Sequence, residues 1–152
     1  MNRYAGDGVT TSSTTGTNSS TDTPGHGSFI TEGNSPYDWR SPQNNNLWQG
    51  VNGINNPCPS GYRLPTEAEL NAERAIFPTQ NASGAYNSVL KLPMAGLRTG
   101  SNGSRNVVGT YGFYWSSTVS GTNASYLDFN SSNAGMLTSY RANGNSVRCL
   151  KD

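Results

Sequence analysis

Only one long stretch of this chain carries a convincing helical period, and that limits what the rest can build. In "PTEAELNAERAIF", Thr66 stands in the N-cap position and Glu69, three residues on, completes a capping box. Glu67 and Glu69 place negative charge in the first turn, where the helix dipole favours it. Ala68, Leu70, Ala72, Ala75, Ile76 and Phe77 fall roughly along one face, and Pro78 ends the run. A second short helix fits "GAYNSVL". After it, "KLPMAGLR" reads as a strand and "TGSNGSRN" as a loop. "YGFYWSST", "SYLDF" and "NSVRCLKD" then follow as strands parted by turns at "SGTN" and "RANGN". Loops, then helices, then antiparallel strands make an α+β domain. "GMLTSY", just before the last turn, fits no period.

With 32% hydrophobic and 12% charged residues, and Asn, Ser, Thr and Gly abundant, much of the backbone must run through turns. A loop-rich fold follows. Residues 1–27 are Ser/Thr/Gly-rich, with Met1, Tyr4 and Val9 as sparse apolar anchors, and read as a linker or a surface-hugging arm. Residues 28–152 read as the folded domain, because from Phe29 onward Ile30, Tyr37, Trp39, Leu47, Trp48, Val51, Ile54 and Tyr62 punctuate irregular backbone. The net charge of +1 offers no field that would draw nucleic acid or an anionic membrane. No apolar run approaches the roughly 20 residues that span a bilayer, so membrane insertion is not expected. The N-terminus lacks the layout of a secretory signal.

Cys58 and Cys149 lie too far apart for a redox or zinc motif. They form either a bridge across a long loop or two buried free thiols. His26 is the single histidine and sits in the Gly-rich arm, which leaves no Ser/His/Asp set and no histidine-based metal site. No cofactor is implied. Trp115 is expected in the core; Trp39 and Trp48 could stack on sugar rings but by size are better suited to the interior. Arg63, Arg98, Arg141 and Arg148 border regular blocks and are expected to brace loops through backbone carbonyls.

Four blocks, "NPCPSGYRLPTEAEL", "LKLPMAGLR", "YGFYWSST" and "NGNSVRCLKD", together resemble the Fibrobacter succinogenes major paralogous domain over about residues 29–152. That family is related to the formylglycine-generating-enzyme branch of the C-type lectin fold. The resemblance implies a C-type lectin-like fold. It does not carry catalysis, because the nearby cysteines that the enzymes use are here widely separated in sequence.

Some proteins of this fold are variable proteins of diversity-generating retroelements, in which adenines of Asn codons are rewritten. Such codons yield Gly, Leu, Thr, Ser, Tyr, Phe or Asp but never Lys, Glu, Gln, Met or Trp. From Thr99 to Val147 the chain has no Lys, Glu or Gln, and its one Met and one Trp stand in framework-like positions. By this logic Gly135, Leu137, Thr138, Ser139 and Tyr140 are diversified, with Tyr111, Phe113, Tyr126 and Asp128 as further candidates. An exposed Leu, Tyr and Phe among small polar residues suits a binding surface. The expected function is a non-catalytic ligand-binding domain with a diversified recognition surface for a protein or glycan, displayed on a cell or virion surface or secreted. The alternative is an undiversified adhesin or structural module of the same fold. Asp128 and Asn130 would share a strand face as oxygen ligands, but the Glu-Pro-Asn and Trp-Asn-Asp motifs of calcium-dependent sugar binding are missing, and no metal site is expected.

Overall fold

The computed structural model describes residues 13–152, and its elements run in the order β1 (Thr14–Thr15), β2 (Phe29–Ile30), β3 (Tyr62–Arg63), α1 (Glu67–Ala75), α2 (Ala82–Asn87), β4 (Leu97–Arg98), β5 (Arg105–Asn106), β6 (Tyr111–Ser120), β7 (Asn123–Asn130), β8 (Ala134–Tyr140) and β9 (Leu150–Lys151). This is an α+β fold in which one antiparallel sheet, β6-β7-β8, carries the long strands.

Helix α1 begins where its capping box says. Thr66 Oγ1 accepts from the Glu69 amide at 3.3 Å, and the Glu69 carboxylate accepts from the Thr66 amide at 2.8 Å. A cap of this kind stabilises a helix by about 1 kcal/mol. The Glu67 amide, which has no partner inside the helix, donates to Thr118 Oγ1 of β6 at 2.9 Å and so pins the helix start to the sheet. The apolar face is narrower than its sequence suggests. Leu70 is the buried residue of the helix, while Ile76 is its C-cap and 72% exposed. In α2, Asn81 caps the amides of Ser83 and Gly84.

The sheet separates two cores. In β6 and β7, Tyr111 pairs with Asn130, Phe113 with Asp128 and Trp115 with Tyr126; in β7 and β8, Tyr126 pairs with Leu137, Asp128 with Gly135 and Ala124 with Ser139. Directly opposed residues share a face and side chains alternate, so these residues form one face. Gly112, Tyr114, Leu127, Phe129 and Met136 form the other. That second face packs with Leu70, Phe77, Ala85 and Leu92 into the helix-side core. On the first face, Trp115 and Ala124 are sealed by Ile30, Trp39, Leu47, Trp48 and Leu64 from the aromatic loop region. All three tryptophans are buried, at 2% exposure or less. Gly112 is required by packing: a Cβ there would lie 2.1 Å from the Phe129 ring.

Two strand expectations need correction, and one segment without an expected structure is a strand. "KLPMAGLR" forms a strand only at Leu97–Arg98. "NSVRCLKD" supplies a bridge from Ser146 to Tyr114 and the two-residue β9, because this segment lies along two different neighbours in turn. "GMLTSY", which fits no period, lies within the seven-residue strand β8. As an edge strand with both faces partly open, β8 has no need to alternate polar and apolar residues.

Residues 13–27 run against the domain. β1 pairs in parallel with β2, the Ser19 amide donates to the Trp39 carbonyl at 3.0 Å, and Asp22 pairs with Arg40 at 2.7 Å. His26 is exposed, and its Nδ1 accepts from the Ser28 amide. The expectations for Met1, Tyr4 and Val9 lie outside the described residues. At the other end, Cys58 and Cys149 are joined in a disulfide with Cα atoms 5.8 Å apart, across a sequence separation of 91. It lies beside the β3-β9 pair, where Arg63 pairs with Leu150.

Candidate functional site: one face of the central sheet

Seven of the nine candidate positions share the first sheet face: Tyr111, Phe113, Tyr126, Asp128, Gly135, Leu137 and Ser139. The remaining two, Thr138 and Tyr140, lie opposite Ser125 and Asn123 on the helix side of the sheet. The reason is geometrical. Leu137 to Tyr140 are consecutive in one strand, and a two-residue period sends neighbours to opposite faces. Thr138 and Tyr140 are nevertheless exposed. The Tyr140 ring packs on Tyr37 with centroids 4.2 Å apart.

The face is graded. At its covered end lie Trp115 and Ala124. Tyr126 is partly buried, meets Trp115 edge-on at 5.8 Å and touches Phe113 at 5.8 Å. Phe113 stacks on Tyr111 with centroids 5.6 Å apart and is 9% exposed. Phe113 is thus packed between Tyr111 and Tyr126 on the same face and is more covered than the residues at the open end. At the open end lie Tyr111, Asn130, Asp128, Gly135 and Leu137. Leu137 is 51% exposed. Gly135 has no atom within 4 Å of where a Cβ would stand. Ser139 accepts a 2.9 Å bond from Asn143 Nδ2, which ties it to the turn after β8.

Asp128 is the single charged residue on this face, and its carboxylate makes no hydrogen bond or ion pair within the described residues. Partial burial pushes its pKa up. Burial, and then the neighbouring Asp128 carboxylate, also push the Tyr126 hydroxyl up. Asp128 and Asn130 do share the face, as the two-residue period requires. Among the described residues no group of three or more His, Cys, Asp or Glu side chains is gathered to hold a metal ion. The chain's two thiols are both in the disulfide. An apolar hollow of about 440 Å³, lined by Pro65, Leu70, Ala72, Ile76 and Leu150, lies against α1 and is bordered by none of the nine candidates.

What holds the face in place was only partly readable. Arg141, 3% exposed, directs its guanidinium to the carbonyls of Gly121 and Asn123, to Asn45 Oδ1 and to Asp38, whose carboxylate is 3.6 Å away. It thereby joins the aromatic loop region to the turn between β6 and β7. Arg98 donates to the Gly103 carbonyl and lies over the Phe29 ring at 4.3 Å. Arg63 donates to Glu69 and Asp152 and also to the Leu64 carbonyl at 3.3 Å, whereas Arg148 braces no carbonyl among the described residues. Asn45 and Asp38 were not singled out in the sequence, and Tyr37 only as an apolar anchor, since their partners lie about 100 residues away.

Residues 80–150 match the model of a family described as Domain of unknown function (DUF8237). The match takes in α2 and the whole central sheet. No curated protein and no solved structure gives a significant match.

Proposed function

We propose that this chain is a non-catalytic ligand-binding domain of the C-type-lectin-like kind, and that the open end of the sheet face is a diversified recognition surface. The observation that carries this reading is one of parity. Positions chosen because their residues fit rewritten Asn codons, and in β6 and β7 also because they flank framework residues, fall mostly on a single face, while Met136, which such codons cannot encode, alternates with Gly135 and Leu137 into the helix-side core. A surface that must accept many side chains needs a framework that does not depend on them. The room above Gly135 and the exposure of Leu137 are consistent with that need.

The chemistry of the face defines the kind of ligand. Tyr111 and Tyr126 give contact area at low entropy cost, and Leu137 gives apolar area. Asp128, unpartnered and half-buried, favours a ligand group that donates hydrogen bonds or carries positive charge. The disulfide suits an oxidising compartment, and no helix among the described residues is long and apolar enough to cross a membrane. Display outside the cell, on a virion or in secreted form agrees with both. The test is a binding screen of the intact chain on glycan and surface-protein arrays, repeated with Tyr126→Ala and Leu137→Ala. Hits lost in both variants with unchanged melting support the reading. Hits retained in both assign recognition to another surface.

A further inference from the structure

No described strand pairs with the outer side of β8, and the hydrogen-bond parity of that edge can be worked out. On the far side of the sheet, β6 uses its odd residues outward: the Trp115 amide donates to the Ser146 carbonyl, the Ser146 amide to the Phe113 carbonyl, and the Gly96 amide to the Tyr111 carbonyl. In an antiparallel ladder successive residues turn their polar groups to opposite sides. The even residues of β6 therefore bond to the odd residues of β7, and the even residues of β7 bond to the odd residues of β8. The Asn130 amide bond to the Asn133 carbonyl, at 3.0 Å, agrees with this sequence. Ala134, Met136, Thr138 and Tyr140 consequently turn their N–H and C=O groups away from the sheet. Of these, among the described residues only the Tyr140 carbonyl finds a partner, the Asn143 amide at 3.1 Å.

This edge lacks the features that usually prevent pairing. Ser131 to Tyr140 contain no charge and no proline, and β8 pairs with β7 without a bulge over its whole length. The outward groups are also symmetric about Leu137, two residues on each side. A second copy laid antiparallel across that centre would set Met136 against Thr138 and Thr138 against Met136, with Leu137 against Leu137 between them. Two such narrow pairs exchange four main-chain hydrogen bonds. The two Leu137 side chains, each 51% exposed, would cover one another. A charged strand would place like charges face to face in this register; a neutral one does not.

We propose that β8 is a self-pairing edge: two copies of this chain join antiparallel about Leu137 into one six-stranded sheet, with their recognition faces side by side. The pairing uses the main chain and takes Leu137 of the face into the joint, while Tyr111, Tyr126 and Asp128 stand on β6 and β7, away from it. One strand pair is a small interface, so the dimer is weak and concentration-dependent.

Sedimentation velocity of the intact chain over a wide concentration range gives the first readout. Thr138→Pro removes an outward N–H that has no role inside the sheet, and two of the four central bonds with it. It is expected to keep the native melting profile while weakening association about ten- to hundredfold. Thr138→Val keeps the N–H and is expected to associate as the native chain does. Register is tested by cross-linking. Facing residues in a wide pair approach to about 4.5 Å between Cα atoms, so Leu137→Cys is expected to form an intermolecular disulfide readily and Thr138→Cys poorly. A chain that stays monomeric at every concentration, or a dimer that survives Thr138→Pro in folded protein, overturns the proposal. So does equal cross-linking at both positions.

Discussion

Replacing Arg141 by Met tests whether the candidate sheet face is held by one buried ion pair. Arg141 and Asp38 are each 3% exposed, and burial pushes the Arg141 pKa down while the Asp38 charge opposes that shift. Met fills part of the volume but leaves the carbonyls of Gly121 and Asn123 and the Asn45 oxygen without their donor. Asp38 then becomes a buried charge lacking its counter-ion, although it still accepts from the Arg40 amide and Gln43 Nε2. Breaking a buried pair from one side costs about 3–5 kcal/mol. The remaining bonds to Asp38 argue for the lower half of that range. Against a total stability of about 5–15 kcal/mol, this is a large loss. Urea unfolding of Arg141→Met, Asp38→Asn and the double variant measures it, and the double variant should recover part of the loss because neither charge is then stranded. If Arg141→Met unfolds within about 1 kcal/mol of the native chain, the ion pair is not the pin described above.

Three further outcomes follow from the same geometry. Gly112→Ala drives a methyl group into the Phe129 ring and should cost about 1–3 kcal/mol or more in thermal unfolding, whereas Gly135→Ala, in open space, should be neutral or slightly stabilising. Reducing the Cys58–Cys149 bridge, which spans 91 residues, should lower stability by about 4–5 kcal/mol, read from denaturation with and without reductant. The Arg63 guanidinium holds Glu69 down to about 2, against about 4.3 for a free Glu. Its stabilising contribution is therefore present above about pH 4.3 and is lost as pH falls towards 2. With 38% of the Glu69 side chain exposed, the effect is reduced by solvent, and Glu69→Gln should flatten the acid limb of stability against pH slightly.

Local chemistry made some of this fold legible from sequence, and long-range chemistry hid the rest. Helix α1 was readable because Thr66, Glu69 and Pro78 act within one or two turns of each other. The face was partly readable because residue type singled out Tyr111, Tyr126, Asp128 and Leu137 before any pairing was known. Its division was not, since assigning Thr138 and Tyr140 to a face requires knowing that "GMLTSY" is a strand. A neutral edge strand seen by water on both sides shows no alternation from which to infer one. Nor could the regular look of "NSVRCLKD" reveal that its partners change from Tyr114 to β3 within five residues. Arg141 was expected to brace carbonyls and does so, at Gly121 and Asn123. Its pairing with Asp38 depends on a contact that only the folded chain creates.

The proposed diversification of the face can be tested most directly in DNA. Sequencing the gene and its flanks in several sister isolates should reveal a near-repeat of about codons 105–148 beside a reverse-transcriptase gene, differing from the coding copy only at adenines. The substituted codons should concentrate at Tyr111, Tyr126, Asp128, Gly135 and Leu137 and at exposed Thr138 and Tyr140, sparing Tyr114, Leu127, Phe129 and Met136. No such repeat, or substitutions spread equally over the helix-side core, would contradict it.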